Sequence, residues 1–127
     1  MRRNLIVSLA ILLLVAAVGG ACEKYNADLT ARYRRLLLPV EATMAREDWR
    51  EAGALAQQIC DRWQRESGWV QLWINHGDTD AVSHALRGLC AAIAQRDRLS
   101  AALYWGDCLE NFAHLHHRDA FTLKNIL

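Results

Sequence analysis

The sequence predicts an all-α protein, an N-terminal transmembrane or signal-anchor helix followed by a four-helix, mostly antiparallel bundle. Three observations predict it. An uncharged apolar run extends from Leu5 to Val18. From Leu29 onward, apolar residues recur at alternating steps of three and four, which keeps one stripe of each helix on a neighbour. No stretch alternates with period two, so strands are not expected. The 127 residues suit a single domain. With 53% hydrophobic and 23% charged residues, one Pro and seven Gly, the chain is neither disordered nor low-complexity. A net charge of +1 leaves no basic excess for phosphates, so nucleic acid is not an expected partner.

The first segment, residues 1–22, begins Met1-Arg2-Arg3-Asn4 and ends Gly19-Gly20-Ala21-Cys22. Basic, then apolar, then small residues is the layout of an export signal. Three readings stay open. Cleavage after Ala21 is allowed by the small Gly19 and Ala21. Acylation at Cys22 is disfavoured, because such signals usually carry a branched aliphatic where Gly19 stands. Retention as an anchor is allowed by length, since Leu5 to Cys22 gives ~27 Å of helix at 1.5 Å per residue, close to the ~30 Å hydrocarbon core. Arg2 and Arg3 hold the amino terminus in the cytoplasm, whereas Lys24, Arg32, Arg34 and Arg35 pull the other way. The expected topology is a single pass through the cytoplasmic membrane, amino terminus inside and body outside. Membrane lipid around the N-terminal helix is the expected partner.

The body, residues 23–127, has 13 Lys+Arg and 14 Asp+Glu. Its first stripe is Leu29, Tyr33, Leu36, Val40 and Met44, and Pro39 within it is expected to kink or divide that helix near Leu38. The second stripe runs Trp49, Ala52, Ala56, Ile59, Trp63, Ser67, Val70 and Ile74, with Asp48 as its cap. Asn75-His76-Gly77-Asp78-Thr79 reads as a helix end and a new start. Gly77 takes the C′ place, Asp78 or Thr79 the next cap, and His76 a position favoured by the C-terminal dipole. The third stripe is Val82, Leu86, Leu89 and Ile93. After Arg96-Asp97-Arg98 the fourth is Leu99, Ala102, Gly106, Leu109, Ala113 and His116, and Asp119 begins a short terminal turn.

A faint internal repeat of period fifty places Asp48–Ala52 over Arg98–Ala102, Ala56 over Gly106 and Ile59 over Leu109. The spacing differs from the 34 residues of a tetratricopeptide unit. The expectation is therefore two helices that each need a small residue at a close crossing.

Four cysteines, Cys22, Cys60, Cys90 and Cys108, fit no zinc spacing. Export would permit disulfides, but Cys60, Cys90 and Cys108 lie beside the apolar stripes of three helices and are expected as buried free thiols. Glu110, His114 and His117 share one helical face beside His116, and a solvated face is expected there in place of a metal site. Of the five tryptophans, Trp49 and Trp63 lie on the main stripe. Trp69 and Trp73 are i, i+4 neighbours expected in the core, the alternative being an aromatic patch for a partner or the membrane interface. No phosphate loop, nucleophile elbow or H-E-x-x-H motif occurs in the sequence. Neither catalytic residues nor a cofactor are expected.

Four stretches together carry a family resemblance. They are Glu47-Asp48-Trp49-Arg50-Glu51-Ala52, Asp61-Arg62-Trp63, Trp73-Ile74-Asn75-His76-Gly77-Asp78 and Leu123-Lys124-Asn125-Ile126-Leu127, behind an Arg-led apolar segment. The chain resembles the family known as domain of unknown function 4363, short single-anchor helical proteins of Gram-positive, often spore-forming bacteria. It is richer in Trp, Ala, Cys and His than the Lys/Glu-rich pattern of that family. The resemblance implies a membrane-tethered helical domain, points weakly to an integral membrane protein as partner, and implies no activity. The expected role is a non-catalytic interaction or assembly module at the cell envelope, of open oligomeric state. The alternative is a small metal-binding or redox-responsive bundle that uses His114, His117 and the thiols.

Overall fold

In the computed structural model the described residues are 1–126 for the backbone and 1–115 for the side chains. They form four helices, α1 (Arg2–Ala45), α2 (Trp49–Val70), α3 (His76–Ala94) and α4 (Arg98–Ile126). Packing pairs α1 with α2, α2 with α3, α3 with α4 and α4 with α1, so the helices run up, down, up, down around one core. The fold is the expected all-α bundle, with one difference in construction. The apolar segment and the first bundle helix are a single helix of 44 residues, ~66 Å long at 1.5 Å per residue.

Pro39 does not divide that helix. Proline removes the amide that would bond to the carbonyl of Arg35, and both residues face solvent, where water can take that carbonyl. Leu37 and Val40 on either side are completely buried and hold the backbone in place. The Leu37 carbonyl accepts a bond from Trp105 Nε1 at 2.8 Å, which fixes α4 beside the proline.

Three of the four stripes lie where the periodicity puts them. Leu29, Tyr33, Val40 and Met44 of α1 are buried, with Ala52, Ala56, Ile59, Trp63 and Val70 of α2 and Val82, Leu86, Leu89 and Ile93 of α3. In α4 the stripe is a different frame. Leu99, Ala102 and Gly106 are exposed, while Ala101, Cys108, Phe112 and Leu115 are buried and Trp105 packs on the core. Both frames step by three and four. The one chosen buries Phe112 and packs Trp105 against the core, and burial free energy scales with area. His116 lies outside the described side chains, and α4 runs through Asp119 to Ile126 without a second start.

Helix ends show what set the boundaries. Asp48 caps α2 as expected, its carboxylate accepting from the Glu51 amide at 3.2 Å. The α3 cap is Asn75, whose Oδ1 accepts from the Gly77 amide at 2.7 Å. Gly77 therefore sits in the first turn of α3, Asp78 and Thr79 are not caps, and His76 lies at the amino end of a helix instead of a carboxyl end. An Asx cap satisfies a free amide directly, and it wins over a glycine stop.

The repeat is real, with a period of 49. Glu47 and Arg96 both adopt left-handed backbone, at φ 59° and 55°. Behind each, the same pair of bonds closes the helix. Asp48 N–H bonds to Thr43 O and Glu47 N–H to Met44 O, as Asp97 N–H bonds to Ala92 O and Arg96 N–H to Ile93 O. Asp97 caps α4 as Asp48 caps α2, accepting from the Ser100 amide at 3.1 Å. The buried pairs follow the same shift, Leu37 with Leu86, Val40 with Leu89, Met44 with Ile93, Ala52 with Ala101, Ile59 with Cys108 and Trp63 with Phe112. Taking Arg98 for the counterpart of Asp48 misplaces the register by one residue.

Candidate functional site

Chemistry-bearing side chains gather in two places. The first is the end of the bundle where α1 leaves the apolar segment. Asn26 is fully buried there and accepts from Trp73 Nε1 at 3.0 Å. Trp73 stands edge-on to Tyr25 at 5.2 Å and to Trp69 at 5.7 Å between ring centroids. Trp73 is half-buried, but Trp69 is 60% exposed and Leu72 71% exposed. Trp69 is therefore outside the core, because its face of α2 has no helix beside it and the bond to Asn26 draws only Trp73 inward.

Two turns deeper, Tyr33 is completely buried between Trp63 and Phe112. It is stacked on Phe112 at 4.5 Å and edge-on to Trp63 at 5.6 Å. Its hydroxyl donates to Glu66 at 2.7 Å, and the same carboxylate receives Arg32 at 3.3 Å and Arg62 at 3.4 Å. Burial, followed by the bond to Glu66 and its charge, pushes the Tyr33 phenol far above its ordinary range. A phenol fixed as donor to a carboxylate with two guanidinium partners is a structural lock between α1 and α2.

The second place is a groove of about 250 Å³ between α2 and α3. Its walls carry Gln57, Gln64, Ser67 and Arg87, and its floor carries Trp63, whose Nε1 donates to Ser83 Oγ at 2.9 Å. Cys60 and Cys90 also line it, their sulfurs 2.7 Å apart. That distance lies inside van der Waals contact and beyond the ~2.0 Å of a bond. The Cys60 S–H has a second acceptor in the Leu86 carbonyl at 3.4 Å. Sharing that proton with Cys90, then burial, pushes the Cys60 thiol up, while accepting it holds Cys90 below its usual value. Cys108 is fully buried, and burial raises its thiol to about 12. All four cysteines are unbonded thiols in the structure.

The expected free thiols are present at all three positions, fully buried at Cys108 and only half-buried at Cys60 and Cys90. A signal for that pair exists in the sequence, since Cys60 and Cys90 lie fifteen residues on either side of Asn75, where an antiparallel hairpin brings equidistant positions together. Glu110 and His114 are exposed on α4, and His117 lies outside the described side chains. Among the described residues no group of three or more His, Cys, Asp or Glu is placed to hold a metal ion.

Comparison with known proteins adds one finding. A family model described as "Domain of unknown function (DUF4363)" matches residues 22–126, nearly the whole chain beyond the apolar segment. Neither a curated protein nor a solved structure gives a significant match.

Proposed function

The chain belongs to the DUF4363 family, and from the geometry of α1 we propose that this member is a single-pass, membrane-anchored, non-catalytic interaction module. Its amino terminus lies on the cytoplasmic side of the membrane and its bundle on the outer side. The carrying observation is the continuity of Arg2–Ala45, whose apolar first part is long enough to cross a bilayer and has none of that stretch buried, while the second part builds the core. A helix without a break transmits the orientation of the anchor to the bundle.

The aromatic end of the bundle supports the same placement. Asn26, which holds Trp73, follows Cys22 by four residues, ~6 Å along the helix. Tyr25, Trp69, Trp73 and Leu72 thus lie at the level where amphipathic rings favour the membrane–water interface. Arg2 and Arg3 set the orientation. Far from the bilayer, Leu99 and Leu103 are exposed one turn apart on α4, at 72% and 62%, and offer an apolar contact to a second protein.

Membrane fractionation of the full chain tests the anchor. Retention through high-salt and alkaline washes, with release by detergent, is expected, and a soluble product beginning at Cys22 would overturn it. A photo-crosslinking amino acid in place of Leu103 tests the interaction. A discrete adduct in intact membranes, lost with Leu99→Asp and not formed from Arg50, is expected. Equal labelling from positions 103 and 50 would refute a partner at this face.

A further inference from the structure

We propose that Cys60 and Cys90 are a redox-active dithiol, which exchange with an external disulfide converts into an intramolecular disulfide tying α2 to α3 beside the groove. Three observations carry it. The sulfurs come from two facing helices and already touch. Both line an open groove, so a small disulfide can reach them. The hairpin that joins them is fixed by other contacts, Trp63 to Ser83 and Gln71 to Thr79, so the pair meets without rearrangement of the bundle.

The geometry also orders the reaction. The Cys60 S–H donates to the Leu86 carbonyl at 3.4 Å, which holds Cys60 as the thiol and leaves Cys90 as the first nucleophile. The Cys90 thiolate attacks one sulfur of the external disulfide. Its S–S bond breaks, and one thiolate leaves and takes a proton from solvent. Cys60 then gives up its proton and attacks Cys90 Sγ, displacing the second thiol of the reagent. The protein loses two electrons and two protons, and the external disulfide becomes two thiols. Cys108, fully buried with its thiol pushed up, takes no part.

The inference does not depend on the anchor or on a partner, because the chemistry is read on the purified protein. Full-length protein in detergent micelles is equilibrated with mixtures of reduced and oxidised glutathione, quenched in acid, alkylated and analysed by peptide mass spectrometry. The expected product is a reversible crosslink between the Cys60 and Cys90 peptides within one chain. It should raise the thermal midpoint by about 10 °C, since it closes a thirty-residue loop. Cys108→Ser should behave as wild type. Cys60→Ser, or Cys60→Ala if the serine disturbs packing, should stop with one glutathione on Cys90. Full alkylation of both thiols at every glutathione ratio would overturn the proposal. So would a crosslink between two chains, or glutathione held by Cys60 when Cys90 is intact.

Discussion

Hairpin α1–α2 and hairpin α3–α4 share a loop, a cap and a core frame, and they differ at their open ends. The shared part is local chemistry. A left-handed residue, Glu47 or Arg96, ends one helix, and an aspartate, Asp48 or Asp97, starts the next. The difference is that α3 begins at His76 on an Asn75 cap, whereas α1 reaches back more than twenty residues further as bare apolar helix. The apolar segment contributes no core position, and the bundle is complete without it. That segment is an addition to one hairpin of a matched pair, and none of its apolar window is buried in the bundle.

The sharpest test of the pairing lies at the aromatic cluster, where Trp63 and Phe112 occupy matched positions and stand edge-on at 5.3 Å. Each is buried, and truncation of such a ring leaves a cavity that costs about 3–5 kcal/mol. Trp63→Ala and Phe112→Ala should therefore each lower the stability read from urea unfolding followed by circular dichroism. Because the rings touch each other and Tyr33, the double variant should lose less than the sum by roughly 0.5–1.5 kcal/mol. A cost under 1 kcal/mol at either position would break the equivalence of the hairpins.

A second test sharpens the difference between them. Where α1 has the exposed Pro39, the matched site in α3 is Gly88, and a Cβ there would run into the Tyr104 ring of α4. Gly88→Ala should cost about 1–3 kcal/mol by overpacking, against the usual gain from removing a helix glycine. The same substitution combined with Tyr104→Ala should be milder than the two costs added. A Gly88→Ala protein as stable as wild type would mean that α3 and α4 do not approach so closely.

The matched loops give a smaller effect. Non-glycine residues in left-handed backbone are strained, and glycine relieves that strain. Arg96→Gly should stabilise by about 0.5–1 kcal/mol. Glu47→Gly should gain somewhat less, because Glu47 also meets Arg98 at 3.6 Å in an exposed pair of small worth. Thermal unfolding of the two variants side by side reads the comparison directly, and a loss in both would show that the left-handed turns are absent.

Much of this was legible in the residues, and the failures have physical causes. Apolar spacing located α1, α2 and α3 because each has a single frame that collects its large side chains. In α4, Leu99 and Leu103 compete with Trp105 and Phe112, and only the shape of the neighbouring helices decides between frames one residue apart. Pro39 by itself predicts a break, yet a proline on the solvent side of a helix anchored by Leu37 and Val40 is held by tertiary packing. Asp48 is legible as a cap since nothing competes with it, while Asn75 is masked by Gly77, Asp78 and Thr79, all of which suit the same turn. The Cys60–Cys90 contact depends on the length of the α2–α3 turn, which stripes alone do not fix.

The finest test uses protons at the second loop. Asp97 is fully exposed, and its carboxylate accepts from the Ser100 hydroxyl at 2.7 Å and from the Ser100 amide. Those bonds hold its carboxyl below the ordinary carboxylate range in the folded protein, the hydroxyl contributing most. A depressed folded value means that the stabilising effect is present above the unfolded value near 4. It is lost as pH falls through the lower folded value. Asp97→Asn keeps a capping oxygen without the charge. Its thermal midpoint should lie slightly below wild type at pH 7, and the gap should close as pH drops through the lowered folded value. Ser100→Ala removes the larger contribution and should narrow the gap at pH 7 as well. A gap that stays constant with pH would assign the cap to the geometry of the oxygen alone, and the two aspartates would then be matched in shape but not in charge.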